Sequence, residues 1–345
     1  MGLLVLNSDR FAWHTPPPGH PERPERQDVF RVVAQAWKAR GAIVREPEAA
    51  STAQVARVHS RTFIDVLDSV AGTASMLDPD TYTSPESRDL AMLAAGAVVA
   101  GVDAVLCGEA AVAAALVRPP GHHSGRDRAR GFCLVNSVAV AAAHALARGV
   151  DRVAIIDFDV HHGNGTQEIF ERDPRVLVVS SHQWPHYPGS GAVEEVGTGS
   201  GEGFTINLPL PAGATDADFD RVYRDIVVPV TQAFDPRLIL VSAGFDAHER
   251  DPLAGMRMSE RGFAGLMRHI VGLADRCCGG RVVMTTEGGY DLPALRASLD
   301  ACLAVATAAV DADGGGDGDG AQDSGRGAAV AAEARRVLSR YWRGL

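Results

Sequence analysis

The sequence predicts an α/β fold, with a parallel sheet covered by helices on both faces. Short apolar runs alternate along the chain with helix-patterned stretches. The runs are apolar at nearly every position, as expected of strands buried on both sides. Clusters of histidine, aspartate and tyrosine begin where these runs end. In open α/β sheets, ligands bind beyond the carboxyl ends of the strands.

Taken in order, Leu3–Leu6 reads as a first strand. Phe11–Arg26 reads as loop, because prolines at 16, 17, 18, 21 and 24 forbid regular pairing. Helix patterns cover Arg26–Arg40, Thr52–Val70 and Glu86–Leu106, with a loop at Met76–Pro85 before the last. Further strands are expected at Val112–Val117, Val153–Ile156, Val176–Val179, Thr205–Leu208, Leu238–Val241 and Val282–Thr285. Helices intervene at Ser137–Arg148, Asp216–Phe234 and Ser259–Cys278. Asp311–Gly327, DADGGGDGDGAQDSGRG, is expected to be a flexible linker, since glycine and aspartate at that density cannot bury a core. Ala328–Arg343 returns to a helical pattern with Val330, Leu338 and Trp342 on one face. It is expected to dock on the domain or on a second copy, so that oligomers could form through it. The organisation expected is a catalytic domain over 1–310, a linker over 311–327 and a C-terminal helix over 328–345. No motif residue lies beyond 310, so the tail is expected to be dispensable for catalysis.

The 345 residues are 46% hydrophobic, enough for a large core. A net charge of −10 without a basic stripe argues against a sequence-independent nucleic-acid binder. Five cysteines, an odd number without C-x-x-C, indicate neither a disulfide framework nor a zinc knuckle. A reducing, cytoplasmic setting is the simplest inference. Met1–Asp9 lacks the basic start and cleavage-like site of a signal peptide. Leu90–Val117 is Ala/Val-rich, but Asp103 and Glu109 interrupt it. It reads as a buried helix and a strand, not a membrane span.

The chemistry centres on Ile156–Gly165, IDFDVHHGNG, at the end of an apolar run. Asp159 and His161 are two apart, so on extended backbone they point the same way. With Asp246, just past another strand in SAGFDAHERDP, they form a three-ligand N/O set that leaves positions open for water and substrate. Zinc accepts such a set, and Fe(II) also suits it. His122 and His123, in RPPGHHS, are candidate proton carriers. Asp157 and Asn164 are available as their partners, a carboxylate raising a histidine's pKa more than an amide does. Tyr290, after two glycines in TEGGY, can donate to an oxyanion opposite the metal. Metal, base and phenol together suit amide hydrolysis through a tetrahedral intermediate.

In this order and spacing, RPPGHHS, GFCLVNSVAVAA, IDFDVHHGNGTQ, SAGFDAHERDPL and EGGY resemble the zinc-dependent histone deacetylase family. The similarity is to its class II branch and to bacterial deacetylase-like amidohydrolases, with acetylpolyamine amidohydrolases as relatives. It runs from about Leu3 to Leu303. It implies the arginase–deacetylase fold, one α/β domain around a single eight-stranded parallel sheet flanked by helices. It implies Asp159, His161 and Asp246 as ligands of one zinc ion per chain and His123 as general base. His122 becomes its electrostatic partner, Asp157 and Asn164 hydrogen-bond His122 and His123, and Tyr290 is the catalytic tyrosine. Asparagine at 164 is the class II marker. Gly131, Phe132 and Tyr187 match the acyl-lysine tunnel, and Asp80 the rim residue that holds the substrate backbone. A structural potassium ion is implied beside the zinc, at Asp157, Ser180 and the carbonyls of Asp159, His161 and Ser181. Arg26 resembles an arginine near the inner channel; Asp9, His14 and His20 read as loop residues shaping the rim.

The activity expected is removal of acetyl or other acyl groups from lysine side chains in peptides or proteins. Small acylated amines such as acetylpolyamines are the alternative substrate. Polyamine-selective relatives carry glutamate after the D-P that follows the third ligand; here Leu253 stands there. A two-metal ureohydrolase and a non-catalytic acyl-lysine binding module are the readings of other classes. The first needs an aspartate where Gly163 lies, and the second leaves His122, His123 and Tyr290 without a role.

Overall fold

The computed structural model describes residues 2–308 and 324–345. The expected linker over 311–327 lies outside these residues except for its last four. The strands are β1 (Leu3–Leu6), β2 (Ile43–Arg45), β3 (Ser75–Asp78), β4 (Thr81–Thr83), β5 (Val112–Ala115), β6 (Val153–Asp157), β7 (Val176–Gln183), β8 (Thr205–Leu210), β9 (Leu238–Ala243) and β10 (Val282–Thr286). The helices are α1 (Glu25–Ala39), α2 (Thr52–Val55), α3 (Arg61–Ser69), α4 (Ser87–Leu106), α5 (Ser137–Ala147), α6 (Asn164–Phe170), α7 (Asp216–Val222), α8 (Val228–Phe234), α9 (Glu260–Cys278), α10 (Leu292–Thr307) and α11 (Arg326–Leu338).

Eight strands form one sheet in the order β2-β1-β5-β10-β9-β6-β7-β8, and every pairing is parallel. This is the sheet the resemblance implies. Alternate side chains of each strand enter two separate cores. In β6, Ala154 and Ile156 join one core with α1 and α7–α11, while Val153 and Ile155 join the other with α3–α5. Both faces are therefore apolar, which is why the strands read as continuous hydrophobic runs. The four strands β5, β10, β9 and β6 lie side by side. Their carboxyl ends bring together motifs that are far apart in sequence.

Several elements differ from the sequence expectation. β2 was not foreseen; its three residues alternate exposed, half-buried, exposed, and two apolar residues are too few to make a pattern. The expected loop at Met76–Pro85 contains most of the antiparallel β3–β4 hairpin. The helix expected over Thr52–Val70 is two, each with its own serine cap: Ser51 Oγ accepts from Gln54 N–H and Ser60 Oγ from Phe63 N–H. The helix expected over Asp216–Phe234 is interrupted by a π turn at Tyr223–Val227. α6 and α10 were not foreseen, and Asp291 caps the latter by accepting from Ala294 N–H. α4 has the length and composition to cross a membrane. Here it packs against α5 and β5, with most of its side chains buried.

The C-terminal helix begins at Arg326, within the segment expected as linker, and ends at Leu338. It docks on its own domain, against α7 and the edge strand β8. Asp218, fully buried, accepts from Gly327 N–H at 2.8 Å and from Ser324 Oγ at 2.7 Å. Ala331, Ala334, Val337 and Leu338 enter the core, and the Trp342 indole donates to Gly203 O at 2.9 Å. The tail carries no site residue, but it is an integral part of the packing. Truncation after residue 308 is expected to cost roughly 5 kcal/mol, from the apolar side chains it re-exposes. An unchanged urea midpoint for the truncated chain would contradict this.

Candidate active site

β6 ends at Asp157, and the chain then leaves extended conformation. Asp159 and His161 therefore do not converge by strand alternation, as the sequence suggested. Two successive side-chain turns bring them together. Asp157 Oδ1 accepts from Asp159 N–H at 3.0 Å, and Asp159 Oδ1 accepts from His161 N–H at 2.9 Å. Such aspartate turns wrap the backbone without a regular element. Asp246, from the loop after β9, accepts from Val160 N–H through Oδ1 at 2.9 Å. His161 Nδ1 then lies 3.1 Å from Asp159 Oδ1 and 3.0 Å from Asp246 Oδ2. One donor atom from each of the three lies within 4.8 Å of the others, and all three residues are buried. Burial alone would lower the His161 pKa; its hydrogen bonds to the Asp159 and Asp246 carboxylates raise it to about 10. Two buried carboxylates thus demand positive charge between them. A proton on the imidazole or a divalent cation meets that demand, so the donor set fits a metal.

A second group, His122, Cys133 and Glu287, is equally compact. Its carboxylate is already committed, with Glu287 Oε2 accepting from Gly121 N–H at 2.6 Å and His122 N–H at 3.1 Å. Glu287 therefore positions the histidine loop from the end of β10, a role that no motif or spacing signals.

The two histidines are differentiated by their partners. His122 Nδ1 is 2.9 Å from Asp157 Oδ2, and His123 Nδ1 is 2.9 Å from Asn164 Oδ1. Burial would lower the His122 pKa, but the Asp157 and Asp159 charges raise it well above the ordinary value. For His123, burial and the charges of His122 and His161 act together to hold it well below. The amide oxygen of Asn164 can only accept, so His123 carries its proton on Nδ1 and leaves Nε2 free as an acceptor. α6 begins at Asn164, and the Gly165 and Thr166 amides both donate to His122 O at 3.1 Å.

Tyr290 is carried by the turn after β10. Arg26, fully buried, donates through Nε to Gly289 O at 2.8 Å and through Nη2 to Glu287 O at 2.5 Å. Its guanidinium also lies 5.1 Å from the Tyr290 ring centre. Burial pushes the Tyr290 phenol well above its ordinary pKa against the opposing Arg26 charge, so it remains a donor. Arg26 thus holds both carbonyls that flank Gly288.

His122, His123, His161, Gly288 and Tyr290 line a cavity of about 200 Å³ together with Asp80, Pro120, Gly131, Phe132, His186, Tyr187 and Leu253. Phe132 and Tyr187 are wall residues, not core aromatics. The Phe132 ring meets Tyr290 edge-on at 6.1 Å, and Tyr187 meets His123 edge-on at 5.1 Å. Phe132 is held at φ +66°, a left-handed conformation costly for a bulky residue. Thr81 Oγ1 accepts its N–H at 3.1 Å, and Asp80 Oδ1 accepts the Gly131 N–H at 3.1 Å. Asp80 thus lines the cavity with one oxygen engaged in fixing the Gly131–Phe132 turn. Missed by the sequence reading is His186, whose ring stacks on His161 at 5.1 Å and whose Nε2 lies 3.1 Å from Leu253 O.

Asp157 and Ser180 are neighbours in register on β6 and β7, and Ser181 Oγ is 3.4 Å from Asp157 O. Of the residues implied for potassium, Asp157, Ser180 and Ser181 are thus neighbours across β6 and β7. The early loop divides. His20 shapes the rim, edge-on to Phe132 at 4.5 Å. His14 does not; it is buried at 2.7 Å from Ser87 Oγ and 3.4 Å from Glu22, with burial lowering its pKa to about 4. Asp9 is exposed, 3.9 Å from Arg31, and takes no part in the site.

This geometry agrees with what comparison finds. The histone deacetylase domain profile matches residues 20–306. A probable deacetylase of Archaeoglobus fulgidus is 40% identical over 292 residues, covering 84% of this chain and 81% of that protein. A histone deacetylase-like amidohydrolase of Pseudomonas aeruginosa is 41% identical over 293 residues, covering 81% and 75%. The crystal structure of the HDA15 HD domain superposes with a TM-score of 0.89 at 32% identity, over 98% of this chain and 96% of that one. A domain match that spans the cavity-bearing sheet, with relatives alike over most of their length, places this chain in the histone deacetylase family.

Proposed function

We propose that the protein is a metal-dependent deacylase that hydrolyses the side-chain amide of acyl-lysine in peptides or proteins. The observation that carries this reading is the buried Asp159–His161–Asp246 cluster, whose His161 lines one cavity with the neutral His123 imidazole and the Tyr290 phenol. Asp159, His161 and Asp246 would hold one divalent ion, zinc first, with Fe(II) also suited to the donor set. Such an ion, when bound, supplies Lewis acidity to the acyl carbonyl and acidifies water. His123, neutral with Nε2 free, accepts the proton from the attacking water and returns it to the leaving nitrogen. His122, charged beside Asp157, stabilises the negative charge that develops nearby. Tyr290 donates to the oxyanion as the carbonyl becomes tetrahedral. Acetate and the free amine are released. A structural potassium ion at Asp157, Ser180 and the neighbouring carbonyls is part of the proposal, as is a cytoplasmic setting, in keeping with five free cysteines.

Acyl-lysine is favoured over acetylpolyamines because Leu253 lines the cavity where a carboxylate would reward extra ammonium groups. A two-metal ureohydrolase is disfavoured by space. A Cβ on Gly163 would meet Asp157 Oδ2 at 2.3 Å, so no ligand side chain can be added there. The test is kcat/KM for an acetyl-lysine peptide against N-acetylputrescine and N8-acetylspermidine, with and without chelator. A preference of tenfold or more for either polyamine would overturn the substrate, and full activity after metal stripping would overturn the mechanism.

A further inference from the structure

Asp251 is a buried carboxylate on the loop beyond Asp246. It forms no ion pair with any described residue; its oxygens are taken up by main-chain N–H groups. Oδ1 accepts from Leu253 at 3.0 Å, and Oδ2 accepts from Tyr290 at 2.7 Å and Asp291 at 3.3 Å. Burying a carboxylate is costly unless such partners compensate it. What this one gains is a fixed junction between two loops that share no strand. One loop carries the wall residue Leu253, and the other carries the phenol.

Leu253 is held at both of its peptide groups. Asp251 takes its N–H, and His186 Nε2 lies 3.1 Å from its carbonyl oxygen. His186 in turn stacks on His161 at 5.1 Å with the ring planes 22° apart. A continuous strap of contacts therefore runs around the cavity through His161, His186, Leu253, Asp251 and Tyr290. It spans from the ligand cluster to the phenol.

We propose that Asp251 is a positioning residue that fixes the Tyr290 hydroxyl relative to the ligand cluster and, through Leu253, sets the cavity wall. This rests on the reading of Tyr290 as the oxyanion donor. The two roles separate kinetically. The Tyr290 arm acts on kcat, because a donor aimed at a developing oxyanion matters only in the transition state. The Leu253 arm acts on KM, because the wall meets the substrate before and after that point.

A double-mutant cycle with Tyr290→Phe tests it. Asp251→Ala is expected to lower kcat about 10–100-fold in the wild-type background, the scale of a roughly 1 Å misplacement of a catalytic group. In the Tyr290→Phe background the same change is expected to lower kcat less than about twofold, because no donor remains to be misplaced. KM should shift equally in both backgrounds. Elemental analysis should show metal content per chain unchanged. If Asp251→Ala is not recovered as folded protein, the isosteric Asp251→Asn carries the same cycle, since its amide retains only one acceptor oxygen. An equal kcat loss in both backgrounds, an unaltered kcat, or loss of metal overturns the positioning role. Wild-type turnover in Tyr290→Phe alone overturns the donor reading, and this inference falls with it.

Discussion

Gly288→Ala is expected to strip the metal from the protein and abolish turnover. A Cβ at this position would lie 2.1 Å from Asp246 Oδ2 and 2.6 Å from Asp159 Oδ2, far inside contact distance for both carboxylates. The turn cannot retreat cheaply. Gly288 N–H donates to Asp159 Oδ2 at 2.7 Å, and Arg26 grips the carbonyls on either side. Two of the three proposed ligands must therefore move. Loss of a single outer partner costs about 10–100-fold in metal affinity, and displacing two ligands directly should exceed that. Elemental analysis after dialysis, with kcat at saturating metal, checks it. Gly265→Ala in α9 is the matched control. There the nearest atom outside the helix backbone is the flexible Arg268 Nη1 at 3.8 Å, and removing a helical glycine should raise stability by roughly 0.5–1 kcal/mol. A Gly288→Ala protein that still holds one ion tightly would show that the cluster tolerates displacement.

The same glycine illustrates how much of the site the sequence could reveal. The strand ends were readable because apolar runs stop abruptly at polar residues, and His122, His123, Asp159, His161, Asp246 and Tyr290 all follow such runs. Their convergence was readable only in part. Asp159 and His161 meet through two aspartate turns, not through an extended strand, and Asp157 supplies the first of those turns while also holding His122. Residues that act on backbone amides were silent. Asp251 and Glu287 accept from N–H groups distant in sequence, and no periodicity or spacing marks such a role. His186 lay hidden for another reason: its stacking partner and its carbonyl partner belong to two other loops. The fold divides similarly. Long apolar strands and helices were legible, whereas β2 is too short to carry a pattern. α6 was masked because its first residues read as site chemistry. The C-terminal helix was legible as a helix, but its attachment depends on a buried aspartate and on Trp342 meeting Phe204 edge-on at 5.6 Å.

Tyr290→Phe is expected to keep the fold and the metal while lowering kcat about 10²–10³-fold, the cost of removing one oxyanion donor. The substitution deletes a single oxygen. The ring retains its edge-on contact with Phe132 and its place under the Arg26 guanidinium. The backbone retains its Asp251 clamp, so the turn has no reason to move. The loss should therefore fall on kcat and leave KM nearly unchanged, since the phenol's bond strengthens only as the carbonyl oxygen gains charge. Burial drives the phenol well above its ordinary pKa, so throughout the working pH range it is a neutral donor and never a competing anion beside the Asp159 and Asp246 carboxylates. Steady-state kinetics on an acetyl-lysine peptide, with metal content measured on the same sample, decide the matter. Retention of more than about a third of wild-type kcat, far above the loss expected for an oxyanion donor, would show that the transition state draws its stabilisation elsewhere. In that case the backbone N–H of Gly288 is no substitute, because Asp159 already holds it.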